Sequence, residues 1–155
     1  MQVRLLDFTT LDTQLLTTVL AWRNHSDIRR WMLSDDEISL ENHLQFVESL
    51  KNRADKRYFL VQREGEAIGV IDFTDITQNS AEIGIYANPQ MRGVGEALMN
   101  ALLEYGFSTL GVTMLIASVF ADNERAKHLY EKFDFTETNR TAYEKREMIR
   151  MELYQ

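Results

Sequence analysis

The chain of 155 residues contains no cysteine and a single proline, Pro89. Without cysteine there is no disulfide framework, no thiolate nucleophile and no Cys-ligated zinc or iron–sulfur site. No segment approaches the roughly 20 consecutive apolar residues that a membrane helix needs, and the polar start, with Gln2, Arg4 and Asp7, is no signal peptide. The expectation is a soluble, cytoplasmic protein with no membrane partner. Basic residues are also in the minority, 17 Lys and Arg against 24 Asp and Glu, for a net charge of -7. Nucleic-acid binding depends on neutralising phosphates, so no nucleic-acid partner is expected. A small anionic ligand meets the local field instead, and Arg92, Arg125 and Lys127 lie in or near the segments singled out below. Linkers, repeats and low-complexity tracts are missing too, and 45% apolar with 26% charged residues is ordinary for one compact domain over residues 1–155.

What the chain does have is clear periodicity. Val3 to Phe8 reads as a strand, followed by the helix-entry residues Thr9, Thr10 and Asp12 and by Leu15, Leu16, Val19, Leu20 and Ala21 at helical spacing. A second helix starts near Ser39, with Leu40, Leu44, Phe46, Val47 and Leu50 as its buried stripe. Between them lies Trp22 to Met32, rich in aromatics and cations. Strand period takes over at Tyr58 to Gln62 and Ala67 to Ile76, around a tight turn at Glu64-Gly65-Glu66. Ala81 to Ala87 is the next strand and stops at Pro89, which has no N–H for a sheet ladder. Val94, Ala97, Leu98, Ala101, Leu102 and Tyr105 then mark an amphipathic helix. Met114 to Phe120 is a strand, Asp122 or Asn123 caps a short helix carrying Ala126, Leu129, Tyr130 and Phe133, and Phe133 to Thr138 and Met148 to Tyr154 are the closing strands. Hairpins followed by strand–helix–strand crossovers predict an α/β protein, a mixed sheet covered by helices on both faces.

Gln90-Met91-Arg92-Gly93-Val94-Gly95 joins a strand to that amphipathic helix. Its glycines let an anion approach the backbone, and the helix start leaves amide N–H groups without partners, so a pyrophosphate fits. A dinucleotide fingerprint would need a small residue where Leu98 stands, and a P-loop would need Gly-Lys-Ser/Thr; neither is present. The second constellation is Asn123 to Phe135, with Asn123 before a short helix and Tyr130 seven residues on.

The Gln-x-x-Gly-x-Gly spacing and the Asn123/Tyr130 pair together resemble the GNAT family of N-acetyltransferases. The resemblance implies the GNAT fold, a mixed central β-sheet of about seven strands flanked by about four helices. It implies acetyl-coenzyme A as co-substrate, without a metal. Coenzyme binding would fall to Ile85, Tyr86 and Ala87, to Gln90 through Glu96, and to Asn123, Lys127 and Tyr130. Tyr130 would protonate the departing thiolate. The base is open among Asp72, Glu82 and His25; period two puts Glu82, Gly84 and Tyr86 on one face of their strand and Val70, Asp72 and Thr74 on one face of its neighbour.

A narrower resemblance, to the N-acetyltransferases of pseudaminic acid biosynthesis, rests on Trp22-Arg23-Asn24-His25, Trp31-Met32, His43-Leu44-Gln45-Phe46, Tyr58 to Leu60 and Gly69 to Phe73. It implies a UDP-linked amino sugar as acceptor, with flagellin decoration as the end use. Arg23 and His43 would pair with the phosphates, Met32, Phe46 and Tyr86 would pack on uracil or sugar, and His25 and Thr74 would line the same site. A homodimer is compatible with this reading. The competing expectations are a protein N-terminal acetyltransferase and a non-catalytic acyl-coenzyme A sensor.

Overall fold

The computed structural model describes residues 3–155. Strand β1 (Val3–Asp7) leads through a 3-10 turn into helix α1 (Thr13–Asn24), a short helix α2 (Ser26–Arg29) and helix α3 (Leu40–Leu50). Strands β2 (Arg57–Arg63), β3 (Glu66–Thr74) and β4 (Ser80–Ala87) follow, then helix α4 (Gly95–Glu104), strand β5 (Met114–Phe120), helix α5 (Glu124–Lys132) and strands β6 (Thr136–Tyr143) and β7 (Arg146–Tyr154). The seven strands form one sheet in the order β1-β2-β3-β4-β5-β7-β6. β4 and β5 are parallel, and every other neighbouring pair is antiparallel. The element order is the one expected, with α2 as an additional short turn of helix inside the aromatic connector.

The caps act where the sequence places them. Asp12 accepts from Leu15 N–H at 2.8 Å and Ser39 from Asn42 N–H at 3.1 Å. Of the two candidates before α5 it is Asn123 that caps, accepting from Ala126 N–H. In α1 the stripe runs through Leu16, Val19, Leu20 and Trp22, while Ala21 is exposed. The β2–β3 turn places both Glu64 and Gly65 at positive φ, 52° and 82°, as a two-residue hairpin requires.

Two apolar layers sandwich the sheet. α1 and α3 cover one face through Phe8, Val19, Trp22, Val47, Leu60 and Val70. α4 and α5 cover the other through Leu98, Met99, Leu102, Ile71, Phe73, Ala117 and Tyr130. β6 departs from expectation: Phe133 ends α5, Asp134 turns left-handed at φ 72°, Phe135 packs on Tyr130, and the strand then runs to Tyr143. All eight of its residues are exposed, so no apolar alternation marks it in the sequence.

Candidate active site

The functional geometry begins where β4 and β5 part. They pair only over Ser80–Ile83 and Met114–Ala117, although β4 stays on β3 to Ala87 and β5 stays on β7 to Phe120. Gly84–Ala87 and Ser118–Phe120 are thus two arms of a wedge. Asn88 N–H donates to Ile68 O on β3, so by strand alternation the amides of Ile85 and Ala87 point the other way, into the gap. The α4 N-terminus opens on the same gap. Its N-cap, Val94, offers no side-chain acceptor. Among the described residues, nothing accepts from the N–H groups of Arg92, Gly93, Val94, Gly95, Glu96 or Ala97. Gly93 sits at φ 72°, where a side chain would be strained. A row of free donors at the positive end of a helix is what a pyrophosphate needs.

A cleft of about 740 Å³ joins these features, lined by Ile85, Tyr86, Ala87, Met91, Gly93, Val94, Gly95, Glu96, Asn123 and Tyr130 from the expected coenzyme set. Gln90, Arg92 and Lys127 stand outside its lining; Gln90 N–H is tied to Asn88 Oδ1 and Arg92 is exposed. Arg125 and Lys132 line it instead, and Lys132 is held by Glu96 at 2.9 Å. The Asn123 side-chain oxygen is engaged in capping, which leaves Nδ2 as the free donor of this cleft-lining residue.

Cross-strand register sets the acid–base groups. Asp72 on β3 lies directly opposite Gly84 on β4, and its carboxyl fills the volume a Cβ at 84 would occupy. Burial first, and then the charge of Glu82, push its pKa up to about 7. Glu82 accepts from Ser118 Oγ across the β4–β5 junction at 2.7 Å. A buried carboxyl whose pKa lies at about 7 can take up and release a proton near neutrality, which is what a general base needs. Tyr130 is 5% exposed, and its hydroxyl has no hydrogen-bond partner among the described residues. Burial and the charges of Asp72 and Glu82 raise its pKa above the usual phenol value, so it arrives at the cleft carrying its proton. No cluster of three His, Asp or Glu among the described residues is placed to hold a metal ion.

On the acceptor side only Met32 and Tyr86 of the expected set line the cleft, beside Asp72. His43 is 6% exposed, edge-on to Phe8, with Nε2 unpartnered and its pKa lowered by burial. It is a neutral core residue on the Val47–Leu50 stripe of α3 and cannot reach a phosphate. Phe46 packs edge-on to Tyr58 at 5.1 Å, within the same core. Arg23 donates to Ser34 O and buries its other terminal nitrogen without a partner, so its charge serves the connector. His25 caps α2 by accepting from Asp27 N–H, and Thr74 closes β3; neither reaches the lining. His25 is thereby removed as the base. The residues present there are Asp27, Ile28, Arg30 and Trp31. A connector dense in aromatics and cations was their only trace in the sequence.

The family model for the GNAT acetyltransferase domain matches residues 3–136. Acetyltransferase PseH of Campylobacter jejuni subsp. jejuni serotype O:23/36 (strain 81-176) is 43% identical over 134 residues, 86% of this chain and 85% of that protein. Spermidine N(1)-acetyltransferase of Escherichia coli (strain K12) is 30% identical over 73% of this chain and 62% of its own. The crystal structure of Campylobacter jejuni N-acetyltransferase PseH in complex with acetyl coenzyme A superposes with a TM-score of 0.84 at 35% identity, covering 99% of both chains. The Vibrio cholerae spermidine N-acetyltransferase structure with CoA and spermine, at 24% identity and TM-score 0.89, shares the fold. A parted β4–β5 pair, an uncapped glycine-led helix and a proton-bearing Tyr130 thus occur in a chain matched along most of its length, and that chain belongs to the GNAT acetyltransferase family.

Proposed function

We propose that this enzyme transfers acetyl from acetyl-coenzyme A to the 4-amino group of a UDP-linked 4-amino-4,6-dideoxy-N-acetylhexosamine, by direct attack in a ternary complex. The observation that carries the chemistry is the meeting of Asp72, lifted to a pKa of about 7, and the free Tyr130 hydroxyl on one cleft lined by unpartnered amides. The free N–H groups of Arg92 to Ala97 and the Asn123 amide suit a pyrophosphate and its pantetheine arm. Ile85 and Ala87 N–H groups donate to the thioester carbonyl oxygen as negative charge develops there. Asp72 accepts the proton that the ammonium must lose before it can attack, directly or through a water, and Glu82, fixed by Ser118, holds a second negative charge beside it. Tyr130 gives its proton to the leaving sulfur.

The acceptor reading is supported by the 43% identity to PseH and by the cleft's second half. With Arg23 and His43 turned inward, Arg30 and Arg125 supply the cations for a nucleotide diphosphate, while Met32 and Tyr86 offer apolar surface to the sugar. The same reading puts the reaction in the cytoplasm, on the route to pseudaminic acid and flagellin glycosylation, in a protein free to form a homodimer. To test it, the purified protein is incubated with acetyl-coenzyme A and, in parallel, UDP-linked 4-amino sugars, peptides with free N-termini and spermidine, with released thiol followed against time. Turnover is expected with a UDP-amino sugar. Thiol release with peptide or polyamine alone would overturn the sugar assignment, and binding without release from any acceptor would favour a sensor.

A further inference from the structure

The acceptor-side wall of the cleft is formed by a segment with little hold of its own. α2 is four residues long and buries none of them. Arg29 donates to Asn24 O and Asp35 O, both within the same connector. Among the described residues, the one side-chain hydrogen bond from residues 25–32 to the sheet comes from Arg146, 116 positions away from Arg30 at the start of β7.

Arg146 makes four contacts at once. One terminal nitrogen donates to Arg30 O at 3.0 Å and the other to Asp122 Oδ1 at 3.1 Å. Its guanidinium lies 3.6 Å from the centre of the buried Phe120 ring and 5.3 Å from that of Trp31, which Arg30 also flanks at 4.9 Å. Arg30 and Trp31 belong to one wall of the cleft; Asp122 directly precedes Asn123, Glu124 and Arg125, which belong to the other. One planar cation therefore joins both walls at a fixed separation, with its flat face on Phe120 as the base.

We propose that Arg146 is a positioning residue that sets the width of the acceptor half of the cleft, and with it acceptor affinity, by holding Arg30 and Trp31 against Asp122. This rests on acyl transfer in the cleft described above, but not on which amine is the acceptor. Arg146 touches no reacting group in this scheme, so chemistry and coenzyme binding continue without it while the acceptor meets a looser wall. Lysine cannot replace it, because a single ammonium does not present two coplanar donors to a backbone carbonyl and a carboxylate while stacking flat on phenylalanine.

The test compares Arg146→Lys with the parent protein, each also in a Trp22→Phe background where Trp31 is the sole tryptophan. The acceptor KM is expected to rise about tenfold, the loss expected of a charge-assisted pair, with kcat changed less than about twofold and acetyl-coenzyme A affinity unchanged. Trp31 emission is expected to move to longer wavelength and to be quenched more readily by acrylamide. Adding Asp122→Asn to Arg146→Lys is expected to cost little more, because the two act through one link. An unchanged acceptor KM with unchanged Trp31 emission would overturn the proposal, as would equal losses for acceptor and coenzyme. If the parent protein acetylates no acceptor, the fault lies with the functional reading, and the Trp31 emission decides the role of Arg146 alone.

Discussion

Replacing Asp72 by asparagine is expected to slow the enzyme and stabilise it in alkaline solution. In the folded chain the Asp72 pKa stands at about 7 against 3.8 for a free carboxyl, because burial and Glu82 disfavour the charged form. Between these two values the folded protein keeps a proton that the unfolded chain has released. Stability therefore falls as pH rises through that window, and above about pH 7 the full cost is carried. About three units at 1.36 kcal/mol each set its upper limit near 4 kcal/mol, since Asp72 still faces an open cleft. Asparagine has the same shape and no charge, so it carries none of it. From pH 5.5 to 8.5 the parent protein crosses the last unit and a half, and the stability gap between the two proteins should widen by about 2 kcal/mol, or about 4–8 °C in Tm for a chain of this size. Thermal unfolding of both proteins across that range measures the gap, and thiol release at each pH measures the loss of the base. The kcat of the asparagine protein should fall about 10²-fold or more, and kcat/KM of the parent should climb with an apparent pKa near about 7. A Tm difference that does not vary with pH, or full activity in the asparagine protein, would refute the reasoning.

Tyr130→Phe should lower kcat about 10- to 100-fold at unchanged coenzyme affinity, measured by steady-state kinetics and calorimetric titration. Because the hydroxyl has no partner to lose among the described residues, Tm should move by less than about 2 °C; a large drop would mean that the hydroxyl serves the fold. His43 is buried neutral with a lowered pKa, so the unfolded chain takes up a proton that the folded one excludes, and stability is lost as pH falls below the ordinary histidine value of 6.5. His43→Leu should flatten that acid limb in urea titrations between pH 7 and 5 without changing turnover at pH 8.

The coenzyme half was legible because it is encoded locally. A proline-ended strand, two glycines and an apolar helical stripe lie within about twenty consecutive residues, and Asn123 and Tyr130 share one short helix. Period two puts Asp72 and Glu82 each on a defined face of its own strand, but only the register, with Asp72 opposite Gly84 and Thr74 opposite Glu82, makes the two faces coincide, and only tertiary burial lifts the Asp72 pKa. The acceptor half is less legible. His43, Val47 and Leu50 follow the i, i+4, i+7 spacing of a buried stripe, and that spacing outweighs the polarity of imidazole, so the position is core. Arg23 lies in the last turn of α1 and His25 follows the helix, at the edge of a segment without periodicity, where only tertiary contacts decide which cation turns inward. The bounds of β6, expected at Phe133 to Thr138 and found at Thr136–Tyr143, shift because an edge strand with every residue exposed has no hydrophobic face to alternate.

The uncapped start of α4 bears on how the protein responds to its own substrate supply. Among the described residues, six consecutive amides from Arg92 to Ala97 have no internal acceptor, and Gly93 to Glu96 of them line the cleft, so an anion bound there would supply acceptors that the fold itself lacks. Resistance to unfolding should then follow coenzyme concentration, rising by RT ln(1 + [L]/Kd), about 2.7 kcal/mol at a hundredfold excess over Kd. When acetyl-coenzyme A is scarce the enzyme is both idle and easier to unfold, so the quantity of enzyme that survives, as well as its rate, tracks the supply of acetyl groups.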